Sequence, residues 1–149
     1  MGAGQILKNQ LTNHLRHMKL NQKQIDEVLA KKPENRYKYF IKTIVAEEEV
    51  WGLADDEGWL LLEVEGENQD ALAVFPNPEF AEIFQKGGDF ADMRVEVLDL
   101  YEFQEWLDDF IAQKMKVAVF PTPAFQSAVM RPEVILDDLG VEFEKETGE

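Results

Sequence analysis

The feature that most limits what this chain can fold into is a near-repeat. Ala73-Val74-Phe75-Pro76-Asn77-Pro78-Glu79-Phe80 returns as Ala118-Val119-Phe120-Pro121-Thr122-Pro123-Ala124-Phe125. In each copy a short run of apolar, strand-forming residues stops at an X-Pro pair, which pushes the residue before proline away from helical geometry. A small polar residue before the second proline then offers a helix cap or a turn. Each copy therefore reads as a buried strand with its exit turn. Helix, strand and helix patterns lie between the copies, and such crossovers connect parallel strands, so the two are expected as parallel neighbours or near neighbours.

Around that repeat the periodicity alternates between helix and strand. Leu7, Leu11, Leu15 and Met18 give a basic amphipathic helix over about 5–20. Asn21 with Gln24 forms a capping-box pattern before a helix over 22–32, and Pro33 opens a third over 33–47 carrying Phe40, Ile41, Ile44 and Val45. Further helices are expected over 78–86, 100–113 and 132–146, capped by Asn77-Pro78 and Asp99 and opened at Pro132. The 100–113 helix has the strongest apolar stripe, Leu100, Phe103, Trp106, Leu107, Phe110 and Ile111. Gly87-Gly88 is read as the stop of the 78–86 helix. Strands are expected over 50–54, 59–64, 71–75, 93–98, 116–120 and 126–130, the first three as a meander whose first turn uses Gly58 at positive φ. The class is α+β, one domain over 21–149 with a mixed, mostly antiparallel sheet of about six strands, preceded by the 1–20 helix as an extension.

Charge is distributed unevenly. The formal net charge is -15, yet residues 1–46 hold nine basic side chains against three acidic ones, so residues 47–149 carry -21. A body this acidic repels nucleic-acid phosphates and favours a basic partner. No cysteine is present, which excludes disulfide and thiolate chemistry and fits a cytoplasmic location. No apolar run approaches the roughly 18 residues of a membrane span, and the N-terminus has no signal-peptide pattern. The stripe on the 5–20 helix requires a cover, expected to be the acidic body first, a second copy in a homodimer next, and an anionic membrane last.

Five segments together carry a family resemblance: Arg36-Tyr37-Lys38-Tyr39-Phe40, Val50-Trp51-Gly52-Leu53-Ala54, Gly58-Trp59, Phe75-Pro76-Asn77-Pro78-Glu79-Phe80-Ala81 and Val119-Phe120-Pro121-Thr122-Pro123. In order and spacing they resemble the bacterial domain of unknown function 2750 family over roughly residues 21–140. Relatives usually read Trp-Pro-His-Pro where this chain has Phe75-Pro76-Asn77-Pro78. The resemblance implies a small α+β domain and brings no activity and no functional residues.

The chemistry-bearing residues form no catalytic set. Ser127 is the one serine and lacks the glycine neighbours of a nucleophile elbow, and phosphate-cradling glycine motifs are missing. His14 and His17 stand one turn apart in basic surroundings and read as solvated, and Asp55-Asp56-Glu57-Gly58 lacks calcium-loop spacing. No metal and no cofactor are expected. Aromatics at strand ends often line interfaces, which makes Trp51, Trp59, Phe75 and Phe120 the binding candidates, together with Pro76, Asn77, Pro121 and Thr122 beside them. Arg36 and Tyr37 open the third helix, where the guanidinium is expected either to hold an anion or, preferentially, to salt-bridge to the acidic body. The expected function is a non-enzymatic acidic module that binds a basic protein, of a regulatory or toxin-neutralising immunity type. The alternative is a small carboxylate-based hydrolase, with or without a metal, whose cleft lies at the ends of the two Ala-Val-Phe-Pro strands.

Overall fold

The computed structural model describes residues 19–64, 66, 69–124 and 126–146. The order is α1 (Gln22–Leu29), α2 (Pro33–Glu47), β1 (Glu49–Asp55), β2 (Gly58–Trp59), β3 (Leu61–Val64), β4 (Gln69–Val74), α3 (Pro78–Lys86), β5 (Arg94–Asp99), α4 (Leu100–Gln113), β6 (Lys116–Val119), β7 (Ala128–Met130) and α5 (Pro132–Glu146). It is an α+β domain with mostly antiparallel strand pairing. Residues 5–18 of the expected first helix lie outside the described residues; Lys19 and Leu20 are non-helical.

The repeat sets the centre of the fold. β4 and β6 are parallel neighbours, with Ala73 opposite Ala118 and Val74 opposite Val119, so equivalent residues of the two copies stand side by side. The Phe120 N–H extends the ladder by donating to the Val74 carbonyl at 2.8 Å. Where they pair, β4 is buried from Ala71 to Val74 and β6 from Val117 to Val119, as short parallel strands covered on two faces require. The copies then part. Chain continues from Phe75 into α3, whereas Phe120 turns through φ +58°, and the Thr122 N–H bonds the Gln126 carbonyl at 3.1 Å to close a loop into antiparallel β7.

Among the described residues the six strands expected are seven, in two sheets ordered β2-β1-β5 and β3-β4-β6-β7. The strand expected over 59–64 breaks at Leu60, whose N–H donates to Leu53 on β1 while its carbonyl accepts from Ala73 on β4. One residue thus hands the strand from one sheet to the other. Trp51 and Phe75 join the sheets a second time, exchanging two backbone hydrogen bonds of 3.0 and 2.8 Å. Gly58 takes φ +133°, as its turn requires.

Helix ends follow local chemistry. Asn21 and Gln24 form the reciprocal capping box, and the Asp99 carboxylate accepts from the Tyr101 and Glu102 N–H groups. The first described helix stops at Leu29, short of the expected residue 32, because Pro33 disfavours helical geometry just before it. Gly87 ends α3 with φ -83°, so left-handed geometry is not its role; a Cβ there would stand 2.9 Å from Pro123 Cβ, and the glycine lets the second motif's turn approach. The Asn77 side chain accepts from the Tyr39 hydroxyl at 3.2 Å and makes no cap bond to α3.

α5 packs against both α2 and α4. At the first contact the Tyr37 hydroxyl donates to Asp138 at 2.5 Å. Burial, then the hydrogen bond to Asp138 and its charge, hold this phenol well above the ordinary value of 10.0. Tyr39 is raised as well, chiefly by burial. Both phenols keep their protons in the fold above the pH at which they would lose them in the unfolded chain. Their stabilisation is complete below about pH 10 and declines as pH rises beyond it. Urea midpoints at about pH 8 and about pH 11 should therefore fall more for the native chain than for Tyr37→Phe; equal falls would refute the linkage.

Candidate functional site

The residues singled out from sequence separate into a buried group and a surface group. Phe75, Pro76, Phe120 and Pro121 are buried, and Thr122 is 8% exposed. The Phe120 ring centroid lies 4.7 Å from Phe80 and 6.4 Å from Tyr39, so aromatic rings fill the space beyond the paired strands. Arg36 is 2% exposed, and among the described residues no carboxylate forms an ion pair with it. Its guanidinium donates to the carbonyls of Lys31 and Gln126 and lies 5.8 Å from the Phe120 ring centroid. It ties the α1–α2 turn to the loop before β7, and desolvation lowers its pKa from the usual value. Tyr37 is half-buried against Asp138. Trp51 is half-buried at the seam between the sheets.

Two sequence candidates line clefts: Tyr37 borders one of about 260 Å³ between α2 and α5, and Trp59 borders another beside α4. β2 brings Trp59 against Trp106 of α4, with ring centroids 5.5 Å apart and planes at 89°, the edge-to-face arrangement aromatic quadrupoles favour. Gly52 makes the placement feasible. A Cβ on Gly52 would come within 2.6 Å of the Trp59 ring, so the indole lies directly on the β1 backbone. The two indoles line a cleft of about 390 Å³ with Leu61, Leu72, Phe110 and Met115, and with Glu57 and Asp109 at its margin. A second cleft of about 170 Å³ shares Phe110 and Met115 and continues to Ile111, Lys114, Lys116, Arg131 and Pro132. The two clefts adjoin at Phe110 and Met115 along the C-terminal half of α4 and together are termed the α4 groove.

The apolar stripe expected on the 100–113 helix is buried only in part. Leu100, Phe103 and Leu107 are buried, Trp106 and Phe110 are half-buried, and Ile111 is 41% exposed. The signal was present. Six apolar positions between 100 and 111 make a broad arc, and Asp108 and Asp109 flank it on either side, next to its Ile111 and Trp106 edges. Leu61, 43% exposed, extends the apolar margin from the opposite side. The exposed surface of α4 also carries Glu102, Glu105, Asp108 and Asp109.

Among the described residues no cluster of three or more metal-ligating side chains occurs, and no helix is long and apolar enough to cross a membrane. His14 and His17 lie outside the described residues. The architecture defines a small α+β domain with a partly apolar cleft margined by acidic residues beside α4. The family described as Protein of unknown function (DUF2750) matches residues 37–139, and the chain belongs to it. That span contains both repeat copies, Gly52, Trp59 and Trp106. No curated protein matches the chain.

Proposed function

We propose that this protein is a non-enzymatic acidic interaction module of the cytoplasm, of a regulatory or immunity type, and that a basic protein partner docks on the α4 groove. The observation that supports the reading is the Trp59–Trp106 pair, set in a cleft of about 390 Å³ next to the acidic surface of α4. Tryptophan is enriched among residues that dominate binding energy, and the net charge of -15 would steer a cationic partner toward the domain. Half-buried indoles are already held by the fold, so little conformational freedom is lost when a partner covers them. The carboxylate-hydrolase reading has no observation of comparable specificity, since Phe80 and Phe120 fill the region beyond the two motif strands.

Affinity capture from extracts of the source cells tests the proposal. The recovered partner should be basic and should release as salt is raised. Trp106→Ala should weaken binding at least about 30-fold, the equivalent of a hot-spot loss of 2 kcal/mol or more. Partners without basic bias, bound with no salt dependence, would remove the reading.

A further inference from the structure

The two ends of the α4 groove carry opposite charge. Glu57 and Asp109 stand beside the Trp59–Trp106 pair, whereas Lys114, Lys116 and Arg131 gather at the far end, accompanied by Glu133. Between them Phe110 and Met115 are common to both clefts, whose lining also includes Gln113 and Gln69. Leu61, Leu72, Val117 and Met130 are successive partners across β3, β4, β6 and β7, so the distance spanned is three inter-strand spacings, about 14 Å. An extended chain covers that distance in about four to five residues.

We propose that the groove receives a short extended peptide segment of mixed charge: a lysine or arginine over the tryptophan pair, two or three apolar residues on Phe110 and Met115, and an acidic residue at Lys114 and Arg131. This rests on the proposed interaction function and sharpens it, because overall charge alone would favour a wholly basic segment. Local chemistry supports the assignment at each subsite. A cation at the tryptophan pair meets the negative face of an indole and two carboxylates together, whereas the same cation at the far end meets like charge. An acidic side chain there meets Lys114 and Arg131, both exposed and able to turn toward it.

Three acetylated and amidated peptides decide the matter: Arg-Leu-Val-Leu-Glu, Arg-Leu-Val-Leu-Arg and Glu-Leu-Val-Leu-Glu. Their binding to the full chain is followed at fixed ionic strength through the tryptophan indole N–H resonances. The mixed peptide should bind about three- to tenfold more tightly than the doubly basic one, and the paired variant Lys114→Glu/Arg131→Glu should reverse that order. Both altered side chains are exposed, so the variant's urea midpoint should match the native one. Tightest binding of the doubly basic peptide would overturn the mixed-charge assignment and leave the basic-partner function standing. Tightest binding of the doubly acidic peptide, or binding of none, would overturn both. Indole resonances that move with protein concentration alone would assign the groove to a second copy. Nuclear Overhauser contacts from residues 1–18 to Trp106 would assign it to the chain's own N-terminus, and either result overturns the proposal.

Discussion

Phe120→Ala should lower folding stability by about 3–5 kcal/mol, and Phe120→Gly should prove the less damaging of the two by about 1 kcal/mol. The first figure follows from burial. Phe120 has no exposed surface and contacts Phe80 and Tyr39, so truncation removes a large apolar side chain and leaves a cavity. The second follows from backbone geometry. Phe120 is at φ +58°, a left-handed conformation that is unfavourable for any residue with a Cβ and is further disfavoured immediately before proline. Glycine releases that strain and alanine does not. Its counterpart Phe75 supplies the control, because it is equally buried but remains extended in a bridge with Trp51. Phe75→Gly should therefore be worse than Phe75→Ala by about 0.5–1 kcal/mol, the ordinary loss for glycine in a strand. Urea denaturation of the four variants measures both differences. The same glycine–alanine order at both positions would show that the left-handed turn at Phe120 holds no strain.

The strain has a structural reason that also explains what a sequence can disclose. The copies must match through Val74 and Val119 to pair in register, then diverge, because one feeds α3 and the other returns as β7. Matching is written in side chains and was legible. Divergence is carried by one backbone dihedral at Phe120, held by the Val74 carbonyl and by aromatic packing from α2 and α3. Nothing local to Val119-Phe120-Pro121 favours it; local preference opposes it. The break at Leu60 was hidden for a similar reason. Its residue type fits a continuous strand, and the handover appears only when β1 and β4 both compete for its peptide groups.

Helix boundaries were legible where capping decided them, as at Asn21, Asp99 and the Pro33 and Pro78 starts. Arg36 was not. A basic residue in the first turn of a helix reads as a surface group, yet here its charge is directed at the nearby Lys31 carbonyl and at a carbonyl and a ring from a distant segment. The groove was half legible. Trp59 was identified from its place beside a strand end, while its partner Trp106 was one of six apolar positions in a helical stripe and nothing in the periodicity set it apart.

Gly52→Ala joins core and site in a single substitution, with an expected loss of about 1–3 kcal/mol. The added methyl would meet Trp59 ring carbons at 2.6 and 2.8 Å and the Ala73 carbonyl oxygen at 3.3 Å. Those ring atoms belong to a rigid indole braced by Trp106, and they cannot swing aside as the end of a flexible chain would. Either β1 shifts away from β4, weakening the seam at Trp51 and Phe75, or the indole tilts off the backbone into the cleft. Tryptophan emission and partner binding should then change together with stability. A double-mutant cycle distinguishes a clash from a backbone effect, since Gly52 shows no left-handed dihedral and alanine should be tolerated once the ring is gone. In a Trp59→Ala background, Gly52→Ala should cost only a few tenths of a kcal/mol, leaving a coupling of at least about 1 kcal/mol. Equal losses in both backgrounds would place the constraint in the β1 backbone and detach Gly52 from the binding surface.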